Sequence, residues 1–467
     1  MAPKFGTSGL RGLVVELTEA VVADHIRAFL AACPVGAGLF VGRDLRASSP
    51  DLAEVVIAAA RAEGVAVTDC GAVPTPALAL ASMAAGAAAV MVTGSHIPAD
   101  RNGLKFYLPT GEITKADETA ILAHLGRPAA AAVAPGPLHR CDTAGADWVA
   151  RYVSAYGATA LSGQRIGVWS HSAVSRDLLI DALSDLGALV LDLGRSDIFI
   201  PVDTEAVAPE VRAQIAAWVA EHRLDALVST DGDGDRPLLA DGAGQVVPGD
   251  ILGQITAAAL GADTVVTPVS SNSGVGRSGR FARVIRTRIG SPFVIAGMAE
   301  GGRVAGYEAN GGFLLGFAAQ GLAGPLPPLA TRDSLLPLVA VLVAGAGTGG
   351  IAARVAQEPA CFTAADRLEH IPPEASAALI AGFGADPGRL AALLADLGES
   401  AAATDLTDGM RLTLASGRVV HFRPSGNAPE FRLYVEAEST EAAADLLARG
   451  LARLASALEI SRQELGS

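Results

Sequence analysis

Aromatic residues make up only 4% of this 467-residue chain, although half of it is apolar. Its interior must therefore be assembled from Ala, Val, Leu and Ile, with 53 Gly supplying tight turns and close backbone contacts. Positive charge is short as well: 35 Lys plus Arg face 49 Asp plus Glu, a net charge of −14. A field of that sign repels phosphate backbones and anionic lipid, so neither nucleic acid nor a membrane is an expected partner. Charged residues of both signs reach only 18%, too few for acidic disorder. The four cysteines (Cys33, Cys70, Cys141, Cys361) are scattered, with no pair at metal-ligand spacing. Lys4 runs directly into a Gly-rich motif with no apolar leader, and reduced thiols in the cytoplasm are the expectation. The uncharged stretch Ser334–Ala353 contains Pro337 and ends in several glycines, which suits a buried helix and loop better than a membrane span.

A chain this long exceeds one hydrophobic core, and about three or four domains are expected. One pattern recurs: an apolar run, a polar turn, an amphipathic stretch, a second apolar run. It appears at Gly38–Asp69, at Arg165–Leu193, and from Ala226–Thr230 through Asp231–Arg236 and a helix near Asp250–Leu260 to Thr264–Ser270. Each copy reads as a βαβ unit of a mostly parallel sheet. The C-terminal part differs, with a hairpin of Met410–Leu414 and Arg418–Phe422, a strand at Glu430–Ala437 and a helix from Thr440 to about Leu458. Three tandem α/β domains with mixed, mostly parallel sheets and a C-terminal α+β domain are predicted, at 1–143, 144–245, 246–358 and 359–467. Arg127–Pro137 is the clearest linker, and Gly321–Pro328 reads as a loop.

Five loops could carry chemistry. Thr93-Gly94-Ser95-His96-Ile97-Pro98, continuing through Asp100, Asn102, Gly103 and Lys105, follows the apolar run Ala87–Val92. Ser95 thus sits past a strand end, where α/β proteins place ligands. No G-x-S-x-G elbow surrounds it, and adjacent Ser and His side chains diverge too far to act as nucleophile and base. The bland alternative is a helix-capping serine. In Asp231-Gly232-Asp233-Gly234-Asp235-Arg236, three alternating carboxylates can fold onto one hard cation, and without one they repel. The spacing does not match an EF-hand, and Mg2+ is the expected ion. Gly274-Val275-Gly276-Arg277-Ser278-Gly279 matches a dinucleotide fingerprint, but the segment after it is too short for the crossover helix such a site needs. The loop Gly306-Tyr307-Glu308-Ala309-Asn310-Gly311-Gly312 offers an acid and an amide to sugar hydroxyls, or is an ordinary hairpin turn. Arg423-Pro424-Ser425-Gly426-Asn427, with Arg432, brings guanidiniums and small residues to bear on a phosphate, although Arg432 on a strand also suits a solvated face.

In this order, together with Phe5-Gly6-Thr7-Ser8-Gly9-Leu10-Arg11-Gly12, the loops resemble those of the α-D-phosphohexomutases over nearly the whole chain. The resemblance implies four domains around a central cleft, a phosphorylated Ser95, and Mg2+ held by Asp231, Asp233 and Asp235 with the seryl phosphate. It assigns Lys105, Arg11 and His96 to the catalytic centre. Glu308 and Asn310 fall to the sugar, with Arg236 and Arg288 also on the substrate, and Arg423, Ser425, Gly426, Asn427 and Arg432 take the phosphate that is not reacting. A hexose 1,6-bisphosphate is the implied intermediate and activator, a phosphorylated hexose the partner, and the protein a monomer or homodimer.

Thr-Gly-Ser-His and Arg-Pro-Ser-Gly-Asn look most like the phosphomannomutase branch. Phosphoglucomutase or dual activity comes second and phosphoglucosamine mutase third. From other classes, a silent sugar-phosphate binder would need neither nucleophile nor metal, and a Mg2+-dependent phosphatase would release inorganic phosphate. Two departures stand out: many relatives read Ser-Gly-His where this chain has Asn310-Gly311-Gly312, and Ser291 replaces a His or Asp common after the Thr287–Gly290 turn.

Overall fold

Ala88–Val92 is buried at every residue, as a central strand covered on both faces must be. In the computed structural model, which describes residues 3–6, 9–129, 134–425 and 429–465, it lies within a mixed sheet. That sheet runs in the order Lys4–Phe5, Leu10–Leu13, Arg101–Leu108, Ala88–Val92, Leu39–Arg43, Val67–Ala72, Leu138–Arg140. The last four pair in parallel. Arg101–Leu108 pairs antiparallel to Ala88–Val92, so the chain reverses directly after Ser95. The helices Glu19–Ala32 and Ser49–Ala62 supply Val22, Ile26, Phe29, Leu52, Val56 and Ile57 to the core against it.

The chain divides into two units, Met1–Val266 with Arg280–Arg283 and Gly290–Gln357, and Thr267–Gly279 with Val284–Ile289 and Glu358–Ser467. The first unit also holds strands of two further large sheets. One is ordered Leu189–Leu193, Arg165–Trp169, Ala226–Thr230, Pro237–Asp241. In the other, Thr264–Pro268 pairs parallel with Val304–Tyr307, which pairs antiparallel with Phe313–Leu315 and through it Leu329–Asp333. In the second unit a five-stranded antiparallel sheet orders Phe362–Glu369, Glu430–Ala437, Val419–Pro424, Met410–Leu414, Ala401–Asp405. Three mixed α/β sheets, an α+β sheet and a two-stranded sheet of Ala319–Gln320 with Pro325–Leu326 thus make up the fold, the last placing a short strand inside the Gly321–Pro328 stretch read as a loop.

The third repeat is not a βαβ unit. Ala226–Thr230 pairs antiparallel with Pro237–Asp241, and the Asp231–Arg236 turn closes a hairpin, with the helix Gly249–Ala259 leading on to a different sheet. Pro237 is tolerated because it opens an edge strand. Phe362–Glu369 and Ala401–Asp405 are additional strands, largely exposed and so without a readable alternation. The dinucleotide look-alike forms a helix of only four residues, Gly274–Arg277, as its length suggested. Leu335–Ala346 is the expected buried helix. Among the described residues no single helix is long and apolar enough to cross a membrane. The bent pair Pro373–Ala385 and Pro387–Asp396 instead packs Leu379, Phe383, Leu393 and Leu394 into the second unit's core.

Candidate active site

Ser95 is fully buried, and its backbone is left-handed at φ +53°. A serine holds such a conformation only where its surroundings over-determine it. Here Arg46 does so. Its Nε donates to Asp44 (3.2 Å), Nη2 to the carbonyls of Ser95 (2.9 Å) and Ile97 (2.5 Å), and Nη1 to those of Pro98 (2.7 Å) and Arg101 (2.9 Å). Asp44 in turn accepts from the hydroxyls of Thr93 (2.7 Å) and Ser49 (2.5 Å). Gly94 must be glycine, since a Cβ there would lie 2.5 Å from Arg46 Cζ.

The Ser95 hydroxyl donates to Asp231 Oδ2 at 2.6 Å. Asp231, Asp233 and Asp235 are all fully buried, with one oxygen from each lying within 4.8 Å of the others. Lys105 Nζ reaches Asp233 Oδ2 and Asp235 Oδ2, both at 2.5 Å, and Thr75 Oγ1 donates to Asp233 Oδ2 at 2.6 Å. The opposite oxygens, Asp233 Oδ1 and Asp235 Oδ1, are buried with no hydrogen-bond partner. Orphaned carboxylate oxygens in a cluster of hard donors fit a divalent cation such as Mg2+. Burial and the two neighbouring carboxylates push Asp231 up to about 8. Burial works the same way on Asp233, but Lys105 and Thr75 hold it well below the ordinary carboxylate range.

His96 lies 3.3 Å from Ser95 Oγ through Nδ1, which also accepts from Arg236 Nη1 at 2.9 Å. A guanidinium only donates, so the ring proton belongs on Nε2. Burial, reinforced by Arg236, pushes His96 down to about 3. It is therefore a neutral ring whose Nδ1 serves as an acceptor. Arg11 Nη1 donates to the Thr93 carbonyl at 2.5 Å, and burial lowers its guanidinium to about 10.

Glu308 and Asn310 are buried in the turn after Val304–Tyr307. Asn310 Oδ1 accepts from Gly312 N at 3.0 Å, so that oxygen shapes its own loop. Glu308 Oε2 accepts from Arg332 Nη1 at 3.3 Å, and Arg332 Nη2 lies 2.9 Å from Asp235 Oδ2. Ser291, one of the two departures noted above, donates to Glu112 Oε2 at 2.6 Å.

The second unit carries Arg288, Arg423, Ser425 and Arg432; Gly426 and Asn427, like Thr7, Ser8 and linker positions 130–133, lie outside the described residues. Arg423 Nε donates to Asp408 Oδ2 at 3.0 Å, and the same oxygen accepts from Ile289 N at 3.0 Å. Asp408 therefore sets Arg423 beside the segment that bears exposed Arg288. Arg432 pairs with Glu430 at 3.0 Å and is partly exposed, and the Ser425 N–H is closed by the Glu430 carbonyl.

Family models described as phosphoglucomutase/phosphomannomutase match residues 2–131 (alpha/beta/alpha domain I), 248–360 (alpha/beta/alpha domain III) and 383–452 (C-terminal domain). A phosphomannomutase of Sinorhizobium fredii is 45% identical, covering 98% of this chain and 100% of its own. The chain belongs to the phosphoglucomutase/phosphomannomutase family. A second phosphomannomutase, from Salmonella muenchen, is 41% identical over 97% of this chain and 96% of its own. A crystal structure of a phosphoglucomutase/phosphomannomutase family protein from Burkholderia thailandensis shares the fold, with a TM-score of 0.79 at 22% identity over 98% of this chain and 97% of that one.

Sequence reading of this family member missed Asp44, Arg46, Thr75, Glu112, Arg332 and Asp408. Asp44 and Arg46 had a usable signal, since they follow Leu39–Arg43, a parallel strand beside the one that delivers Ser95. Arg332 and Glu112 had none, because their partners come from distant segments.

Proposed function

We propose that this enzyme interconverts mannose 6-phosphate and mannose 1-phosphate through a phosphorylated Ser95 and a hexose 1,6-bisphosphate. The reading rests above all on the Ser95 hydroxyl standing 2.6 Å from Asp231, in a carboxylate cluster with two oxygens that accept no hydrogen bond. Its agreement with phosphomannomutases 45% and 41% identical over nearly the full chain supports the hexose. Bound Mg2+, held by Asp231, Asp233 and Asp235, would offset charge on the transferring phosphoryl group.

The chain's own residues do the rest. Arg46 fixes the Ser95 turn, and Lys105 and Arg11 bring positive charge to the transferring group. The bond from phosphorus to the serine oxygen breaks as one forms to a sugar hydroxyl oxygen, and the proton that leaves this hydroxyl is matched by the one the freed serine oxygen takes up, with Lys105 and Arg11 supporting the transfer. After the bisphosphate turns around, the other phosphoryl group returns to Ser95. Glu308 and Asn310 read ring hydroxyls, with Arg236 and Arg288 also on the substrate, and Arg423, Ser425, Gly426, Asn427 and Arg432 hold the phosphate that is not reacting. The four-domain division at 143/144, 245/246 and 358/359 belongs to the same reading, as do the cytoplasm and a monomer or homodimer. A coupled assay comparing mannose, glucose and glucosamine 1-phosphates, with trace bisphosphate activator, tests it. Mannose 1-phosphate should have the highest kcat/KM; phosphate release without isomerisation would overturn the mutase.

A further inference from the structure

Arg332 is 1% exposed, yet its guanidinium meets carboxylates from three separate sheets or turns. Nη2 lies 2.9 Å from Asp235 Oδ2 in the triad, Nη1 3.3 Å from Glu308 Oε2 in the sugar loop, and Nε 3.6 Å from Glu112 Oε1. Glu112 is itself fixed by the Ser291 and Thr331 hydroxyls. The arrangement decides which oxygens remain available. Asp235 Oδ2 is occupied by Arg332 and Lys105, which leaves Oδ1 without a hydrogen bond and with only Arg236 Nε facing it at 3.9 Å.

Gly312 explains why the arginine fits. A Cβ at 312 would lie 2.8 Å from Arg332 Cδ and 3.1 Å from its Cγ. The missing side chain in Asn310-Gly311-Gly312, a departure from the Ser-Gly-His of many relatives, is thus the room through which Arg332 passes. Gly312 and Arg332 are two halves of one feature. We propose that Arg332 is a positioning residue that couples cation binding at the triad to hydroxyl recognition by Glu308, and that Gly312 is glycine to admit it. The sugar half of this proposal rests on the mutase reading; the cation half does not.

The test is Arg332→Lys, which keeps the charge but offers one compact ammonium that cannot hold Asp235 and Glu308 in fork geometry. Mg2+ binding to the whole enzyme, titrated by calorimetry without sugar, should weaken by about 10-fold or more, the usual cost of losing a partner behind a metal ligand. The kcat/KM ratio of mannose to glucose 1-phosphate should fall toward unity at the same time. Gly312→Ala leaves the arginine in place and pushes on its stem, so it should shift both readings the same way, by less. It stands as the informative variant should Arg332→Lys fail to fold. A purely structural role would lower the melting temperature and leave the Mg2+ Kd of the folded protein unchanged. Wild-type Mg2+ affinity in Gly312→Ala and in any folded Arg332→Lys overturns the proposal. If the wild type isomerises no hexose phosphate, the mutase reading fails, while the Mg2+ titrations still judge the link to the triad.

Discussion

Arg46 holds the carbonyl of Ser95 at 2.9 Å while its remaining N–H groups close on Asp44 and three further carbonyls of the same loop. All five guanidinium donors are matched, and the face of the group lies 3.9 Å from the centre of the Phe199 ring. The Ser95 loop is thus built around a side chain that precedes it by two helices and two strands.

Arg46→Lys should therefore be severe despite the retained charge. It strands buried carbonyls and Asp44, at a cost of about 3 kcal/mol. Urea unfolding measures that loss, and turnover should fall further than the loss of folded protein explains. Near-normal stability would show that the loop holds its shape without the fork.

Ser95→Ala should abolish turnover at a stability cost of about 1 kcal/mol, the value of one hydrogen bond to Asp231. Intact mass should show a fraction of wild type heavier by one phosphate, absent from the mutant. A mutant with near-normal turnover rules the phosphoserine out.

Asp233→Asn removes one anionic ligand without changing shape and leaves Lys105 with Asp235 alone. Mg2+ affinity should fall by more than the roughly 10-fold that loss of an outer partner costs. Chelation should silence the wild type and Mg2+ restore it; activity surviving complete metal removal would deny the triad its role.

His171 is buried and its Nε2 pairs with the Thr230 carbonyl at 2.9 Å, at the strand end that leads into the triad. Burial pushes it down to about 4, against about 6.5 in an unfolded chain. The unfolded state therefore binds the extra proton first, and the stability present above pH ~6.5 is lost as pH falls toward 4. Each such histidine steepens the decline by up to about 1.4 kcal/mol per pH unit. His171→Asn should flatten the urea midpoint between pH 6.5 and 4.5. An unchanged slope would mean that His171 is not held neutral in the folded protein.

Arg423→Ala should reduce kcat/KM in both directions by similar factors, roughly thirtyfold for about 2 kcal/mol of lost charged hydrogen bonding. It should also release more free 1,6-bisphosphate. Because Asp408 positions Arg423, Asp408→Asn should follow the same pattern more weakly. A loss confined to one direction contradicts an anchor for the turning intermediate.

The cluster of Asp231, Asp233 and Asp235 was legible because alternating carboxylates in a short turn must converge, whereas Ser95 stood out only through the family resemblance. Arg332 was not legible, since Asp235, Glu308 and Glu112 reach it only after three sheets have formed. The hairpin behind Asp231–Arg236 was misread because Pro237 disguises an edge strand and the next helix invited a crossover. Gly312 was visible as a departure, but its reason lay in a side chain elsewhere.

The left-handed backbone at Ser95 places this position under two opposed pressures. Glycine adopts that conformation without the Cβ penalty, which for other residues amounts to about 1–2 kcal/mol. Ser95→Gly would relieve that penalty but lose the hydrogen bond to Asp231, worth about 1 kcal/mol, and add the chain entropy of glycine, so the folded state gains nothing from the change. Folding is thus indifferent between serine and glycine at 95, and it is the proposed phosphoryl transfer that asks for the hydroxyl.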